Sequence, residues 1–144
     1  MGTGFYSGTN ADSSSNTAKA TCKNKAKSAF GAAHILTHRE LLTNAVSNGK
    51  ASSWSWYDSD VEMMNEAMVY GHSAWAQPEY ETGIDKTILP LFALDPSKIT
   101  NRAYWWLRDV VSATNFALVN NHGHANAYYA SHAYIGVRPA FGIC

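Results

Sequence analysis

The chain has 144 residues, 46% of them apolar, and its 11 Lys+Arg balance 11 Asp+Glu, which fits one domain with a core of its own. A formal charge of zero speaks against wholesale nucleic-acid binding, because counterion release needs a basic excess. No apolar run reaches the ~18 residues of a membrane helix, and the Gly/Ser/Thr-rich stretch 1–10 lacks the basic and apolar segments of a signal peptide, so neither a span nor a signal peptide is expected.

Neutrality conceals an asymmetry. Residues 1–50 carry 6 basic and 2 acidic side chains, 51–100 carry 2 and 8, and 101–144 carry 3 and 1, a pattern that pairing within the chain explains without a partner. The two cysteines, Cys22 and Cys144, have no metal-ligand spacing and read as free thiols, a single bridge being the alternative.

Residues 1–30 read as a flexible or irregular segment, with 7–16 a polar run lacking apolar periodicity. Thr37-His38-Arg39-Glu40 has the form of a capping box, Leu41, Leu42, Ala45 and Val46 follow at helical spacing, and Asn48-Gly49 is a stop. These predict a first helix. Ser59-Asp60-Val61-Glu62 repeats the capping pattern, and Val61, Met64, Met68, Val69 and Gly71 predict a second helix ending at a left-handed glycine. The methionines are core filler on this reading. Beyond an irregular stretch with Trp75, Pro78 and Gly83, the Pro-interrupted run Thr87 to Leu94 suits an edge strand or buried loop.

From Tyr104 onward the chain breaks into short β-like runs: Tyr104 to Val111, Phe116 to Asn120, Ala125 to Ala130 and Ile135 to Ile143. Asn121-His122-Gly123 is a turn candidate that would join two of them as a hairpin. Helices first and strands later predict an α+β fold, two helices packed on short antiparallel strands and hairpins.

His122, His124 and His132 invite a metal reading, since alternate strand residues share a face, but no carboxylate or thiol accompanies them. Exposed hairpin histidines are the plainer reading. Asp58, Asp60, Glu62 and Glu66 lack cation-loop spacing, and the first-turn acids among them suit a helix dipole. No nucleophile elbow or phosphate-cradling glycine loop is present. No catalytic residue and no cofactor is therefore expected.

The informative segment is 109–137, which contains no Glu, Lys, Gln, Met or Trp. Those types make up 22 of the 115 residues elsewhere, so about five or six are expected in a stretch of this length. What remains is Tyr, Ser, Asn, His, Ala and Gly, a palette that supplies stiff aromatic contact and adaptable hydrogen bonds, as in a paratope. A solvated polar hairpin is the competing reading.

Tyr104-Trp105-Trp106-Leu107-Arg108-Asp109, Asn115-Phe116-Ala117-Leu118-Val119, Gly123, Ala125 and Gly136-Val137-Arg138-Pro139-Ala140-Phe141 resemble the C-terminal signature of variable proteins of diversity-generating retroelements. Trp54-Ser55-Trp56, Glu62-Met63-Met64-Asn65-Glu66 and Leu89-Pro90-Leu91-Phe92 look like the same group's scaffold, more loosely. The resemblance implies a C-type-lectin-like domain of the formylglycine-generating-enzyme type over 31–144, with a variable region at about 109–137. In such systems a reverse transcriptase misreads template adenines, so AAC and AAT codons diversify. Glu, Lys, Gln, Met and Trp cannot be reached from them, which matches the missing types.

The resemblance further implies ligand-facing variable residues at Asp109, Val110, Thr114, Asn115, Asn120, Asn121, His122, His124, Asn126, Tyr128, Tyr129, Ser131, His132, Tyr134 and Ile135. Trp105, Trp106, Leu107, Arg108, Gly136, Arg138, Pro139 and Phe141 look like scaffold. The calcium-dependent sugar motif of lectins and the catalytic cysteine pair of formylglycine-generating enzymes are both absent. The implied function is non-catalytic recognition of a host-cell surface protein or glycan, on a virion or cell surface, with room for a homo-oligomer. The alternatives are a metal-dependent enzyme using His122, His124 and His132, and a structural virion protein.

Overall fold

The computed structural model describes residues 17–47, 50–75, 88–112 and 114–144. It shows a small α+β domain: helix α1 (Thr17–Phe30), strands β1 (Ile35–Leu36), β2 (His38–Ser47), β3 (Lys50–Ser59) and β4 (Glu62–Met63), then helices α2 (Glu66–Tyr70) and α3 (Pro90–Leu94). Strands β5 (Trp105–Val110), β6 (Asn115–Val119), β7 (Ala125–Tyr129), β8 (Gly136–Val137), β9 (Pro139–Ala140) and β10 (Gly142–Ile143) complete it. No helix among the described residues is long and apolar enough to cross a membrane. The predicted loop at 7–16, the stop at Asn48-Gly49, and Pro78, Gly83 and Thr87 lie outside the described residues.

The central sheet runs β7-β6-β5-β8, antiparallel except for the parallel pair β5 and β8. All six residues of β5 are buried, so both faces of this strand are covered. Strand alternation divides them. Trp105 and Leu107 join Met64, Val69, Phe92, Ala117 and Val119 on one side, while Trp106 joins Met63, Leu118 and Ile135 on the other. Helices α2 and α3 contribute to the first layer, and Cys22 of α1 packs against the second.

The predicted run Ile135 to Ile143 is three strands of two residues, each with a different partner: β8 with β5, β9 with β4, and β10 with β1. Gly136, Pro139 and Gly142 punctuate the run. The C-terminal segment thus stitches three sheets together, and its pairing with Ile35 and Leu36 joins the far ends of the domain.

Several expectations are corrected. The helix expected after Thr37 is a strand: His38–Ser47 pairs with Lys50–Ser59, with a register shift between Thr43 and Ala45. The partner strand alternates Ser and Trp through Ser53, Trp54, Ser55 and Trp56, and its long-range ladder outweighs a local capping pattern. The second helix starts later than expected. Glu62 and Met63 pair with Ala140 and Pro139, Ser59 Oγ donates to the Glu62 carboxylate, and Asn65 Oδ1 caps α2 by accepting from Met68 N at 2.7 Å. Gly71 closes α2 as predicted, at φ 79° with its N–H on Ala67 O.

The run around Pro90 is helical, not extended, because proline stands at the first turn, where its missing N–H costs nothing. Residues 17–30, expected to be irregular, form α1. Alanines and lysines favour that helix, and Lys23 and Lys27, one turn apart, both reach Asp60 Oδ2 at 3.0 and 2.9 Å. Burial alone would raise the Asp60 pKa, but the two ammonium groups outweigh it and hold the carboxyl below its usual range. Both cysteines are free, Cys22 half-buried and Cys144 exposed.

Candidate ligand-binding surface

Hairpin β6–β7 carries most of the residues expected to face a ligand. Its register, Asn115 opposite Tyr129 and Val119 opposite Ala125, sets Ala117, Leu118 and Val119 into the core. Four residue steps separate the two ends of each strand, about 14 Å at the usual rise. The candidate residues therefore fall into two groups at opposite ends, with Asn126 between them.

At the turn end, Gly123 takes φ 85°, and Asn120 Oδ1 accepts from His122 N at 2.8 Å and His124 N at 3.0 Å. Tyr70 donates its hydroxyl to Gly123 O at 3.0 Å, fastening the turn to α2. The Asn120 side chain is thus engaged in the turn itself, while the His122 and His124 rings stand exposed, 6.4 Å apart. The Asn126 side chain accepts from Ala127 N.

The other end gathers aromatic rings. Tyr128 lies 5.9 Å from Tyr104 and 5.3 Å from His132, which in turn lies 6.5 Å from Tyr129 and 5.2 Å, edge-on, from Tyr134. These are ordinary aromatic pairing distances. Tyr129 is 59% exposed and Tyr134 69%, whereas Tyr128 is half-buried against the Trp106 layer. Tyr104 was not among the expected site residues. The parallel pairing of β5 with β8 and the bond from Gly136 N to Tyr104 O bring it there, a contact with no local sequence signal. Its hydroxyl is held above its usual range, first by neighbouring Tyr128 and then by burial.

Thr114 and Ser131 are exposed beside this cluster, and Ala130 N bonds back to Thr114 O. Asn115 accepts from the Thr114 hydroxyl. Among these neighbours no residue bears a formal charge, so the surface offers ring faces, edges and neutral hydrogen-bonding groups.

Three expected surface residues are interior instead. Asp109 is 1% exposed, Val110 4% and Ile135 5%. Asp109 Oδ2 accepts from Glu66 N at 2.8 Å, and the buried Glu66 carboxylate accepts from Ala74 N and Trp75 N. Arg108 pairs with Glu40 at 3.2 Å, and Glu40 also meets His38 at 3.0 Å. These acids and this arginine brace β5 against β2 and α2. The three hairpin histidines do not assemble into a metal site: no group of three or more His, Cys, Asp or Glu residues is so placed among the described residues.

No curated protein and no solved structure matches the chain. A family model described as a domain of unknown function, DUF6273, matches residues 43–144, a span that takes in β3, both short helices, the central sheet and the hairpin. On that match, which covers the greater part of its length, the chain belongs to the DUF6273 family.

Proposed function

We propose that this chain is a non-catalytic recognition module, displaying a surface diversified by a retroelement to bind a host-cell protein or glycan from a virion or cell surface. The scaffold, on this reading, is C-type-lectin-like, of the formylglycine-generating-enzyme type. One observation carries the proposal: in a stretch from which Glu, Lys, Gln, Met and Trp are missing, Thr114, His122, His124, Tyr129, Ser131 and Tyr134 are exposed, while Ala117, Leu118 and Val119 are buried. Variation of the exposed set leaves the packing intact, because surface substitutions change stability by no more than about 0.5 kcal/mol.

The Tyr104–Tyr134 end of the hairpin is the centre of the recognition surface. Its rings are large and few, as binding anchors tend to be. The test compares the wild-type chain with a Tyr129→Ala/His132→Ala/Tyr134→Ala variant on a glycan array and on a panel of intact bacterial cells. The proposal expects a target that the wild type binds and the variant, equally well folded, does not. Equal binding by both refutes this placement of the surface.

A further inference from the structure

A second concavity lies away from the hairpin and shares none of its residues. It encloses about 490 Å³, within the range of small-molecule sites, which are mostly apolar with a few polar groups. Leu36, Met64, Met68, Leu89, Phe92 and Phe141 line its apolar part. The polar side chains are His38, Glu40, Glu62, Arg108 and Arg138.

These polar groups are unequal. Both Glu40 oxygens are engaged, Oε1 by His38 Nε2 at 3.0 Å and Oε2 by Arg108 Nη1 at 3.2 Å. Glu62 accepts the Ser59 hydroxyl. Arg138 differs: Nη1 donates to Lys98 O at 2.6 Å, and the guanidinium carbon Cζ lies 5.2 Å from the Phe92 ring centre and 5.1 Å from that of Trp105. No carboxylate among the described residues pairs with it. A guanidinium has five N–H donors in a fixed fork suited to carboxylates, so Arg138 keeps donors to offer in this cleft, while the Glu40 and Glu62 carboxylates already have partners. Partial burial lowers the Arg138 pKa, and an anionic partner would offset that desolvation.

We infer that the cleft binds a small amphipathic carboxylate, its anionic head on Arg138 and its apolar body against Met68, Leu89, Phe92 and Phe141. This site is independent of the recognition surface. A neutral head would lose the charge-assisted, two-point contact that makes arginine–carboxylate pairs strong. A cationic head would meet the guanidinium as a like charge.

The experiment titrates octanoate, octanamide and octylamine separately into the full chain, followed by calorimetry and by backbone amide shifts. The expected result is saturable octanoate binding that moves the amides of Met64, Met68, Phe92 and Ala140, with octanamide at least tenfold weaker and octylamine without effect. Arg138→Gln should reduce octanoate to the level of octanamide. Should that variant fail to fold, the comparison of head groups on the wild type still decides. Equal affinity for octanoate and octanamide, shifts confined to residues outside the cleft, or no shifts at all would overturn the inference.

Discussion

Asp109 separates scaffold from the proposed recognition surface most sharply, because the resemblance to retroelement variable proteins implies a ligand-facing residue there whereas it is almost wholly buried. Its Oδ2 receives the Glu66 N–H at 2.8 Å, at the start of the helix whose carboxylate holds the Ala74 and Trp75 amides. Asp109→Ala removes a charged acceptor and leaves that buried amide unsatisfied. Hydrogen bonds to charged groups contribute about 1.5–3 kcal/mol, and an orphaned buried donor costs about 1–3, so a loss of about 2–3 kcal/mol is expected. For a domain of this size each kcal/mol lowers Tm by about 3–4 °C, giving a fall of roughly 6–12 °C. Asp109→Asn keeps an acceptor oxygen and should lose about 1 kcal/mol. Urea unfolding and calorimetry measure both. A change under about 0.5 kcal/mol for Asp109→Ala, the size expected of a solvent-facing residue, would refute the assignment of Asp109 to the scaffold.

Other expectations follow from the same geometry. Tyr129→Ala and Tyr134→Ala should each leave unfolding free energy within about 0.5 kcal/mol of wild type, whereas Tyr128→Ala, which uncovers the Trp106 layer, should cost about 1–2 kcal/mol; equal effects at Tyr128 and Tyr129 would contradict the hairpin's facing. Gly123→Ala places a Cβ 2.7 Å from Thr100 Oγ1 at φ 85°, so it should cost at least about 1–2 kcal/mol in denaturant titration, and an unchanged midpoint would count against the turn. The Asp60 carboxyl has a lowered pKa in the folded state, so its contribution is complete above the unfolded value near 3.9 and disappears as pH falls through the folded value. The stability advantage of wild type over Asp60→Asn should therefore shrink between about pH 5 and pH 2, and an advantage independent of pH would refute the lysine clamp.

What the sequence revealed depended on how local its cause was. Gly71 and Gly123 were legible because positive φ is a property of the residue and its turn. The β6–β7 hairpin was legible because its strands are adjacent in sequence. The Thr37–Glu40 capping pattern misled, since the pairing of His38–Ser47 with Lys50–Ser59 gives those backbone groups another use. Pro90 has two meanings, strand breaker or helix starter, and only the packing of Phe92 into the core chooses between them. The place of Tyr104 in the ring cluster and the cleft around Arg138 had no local cause to read. Each is made by segments far apart in the chain, through parallel pairing at Gly136 and stacking of Arg138 on Phe92 and Trp105. Conversely, the palette of 109–137 singled out a stretch of chain but could not separate exposed Tyr129 from buried Asp109 and Ile135, because composition carries no facing.

The DNA flanking the gene tests the central claim most directly. Sequencing it should reveal a reverse transcriptase and a second copy of the codons for 109–137 that differs from the gene only at adenines, with differences falling at exposed positions such as Thr114, Tyr129, Ser131 and Tyr134 and sparing Asp109, Val110 and Ile135. Absence of such a repeat, or differences scattered over bases other than adenine, would contradict the retroelement account while leaving the hairpin surface and the cleft to be judged on their own binding tests.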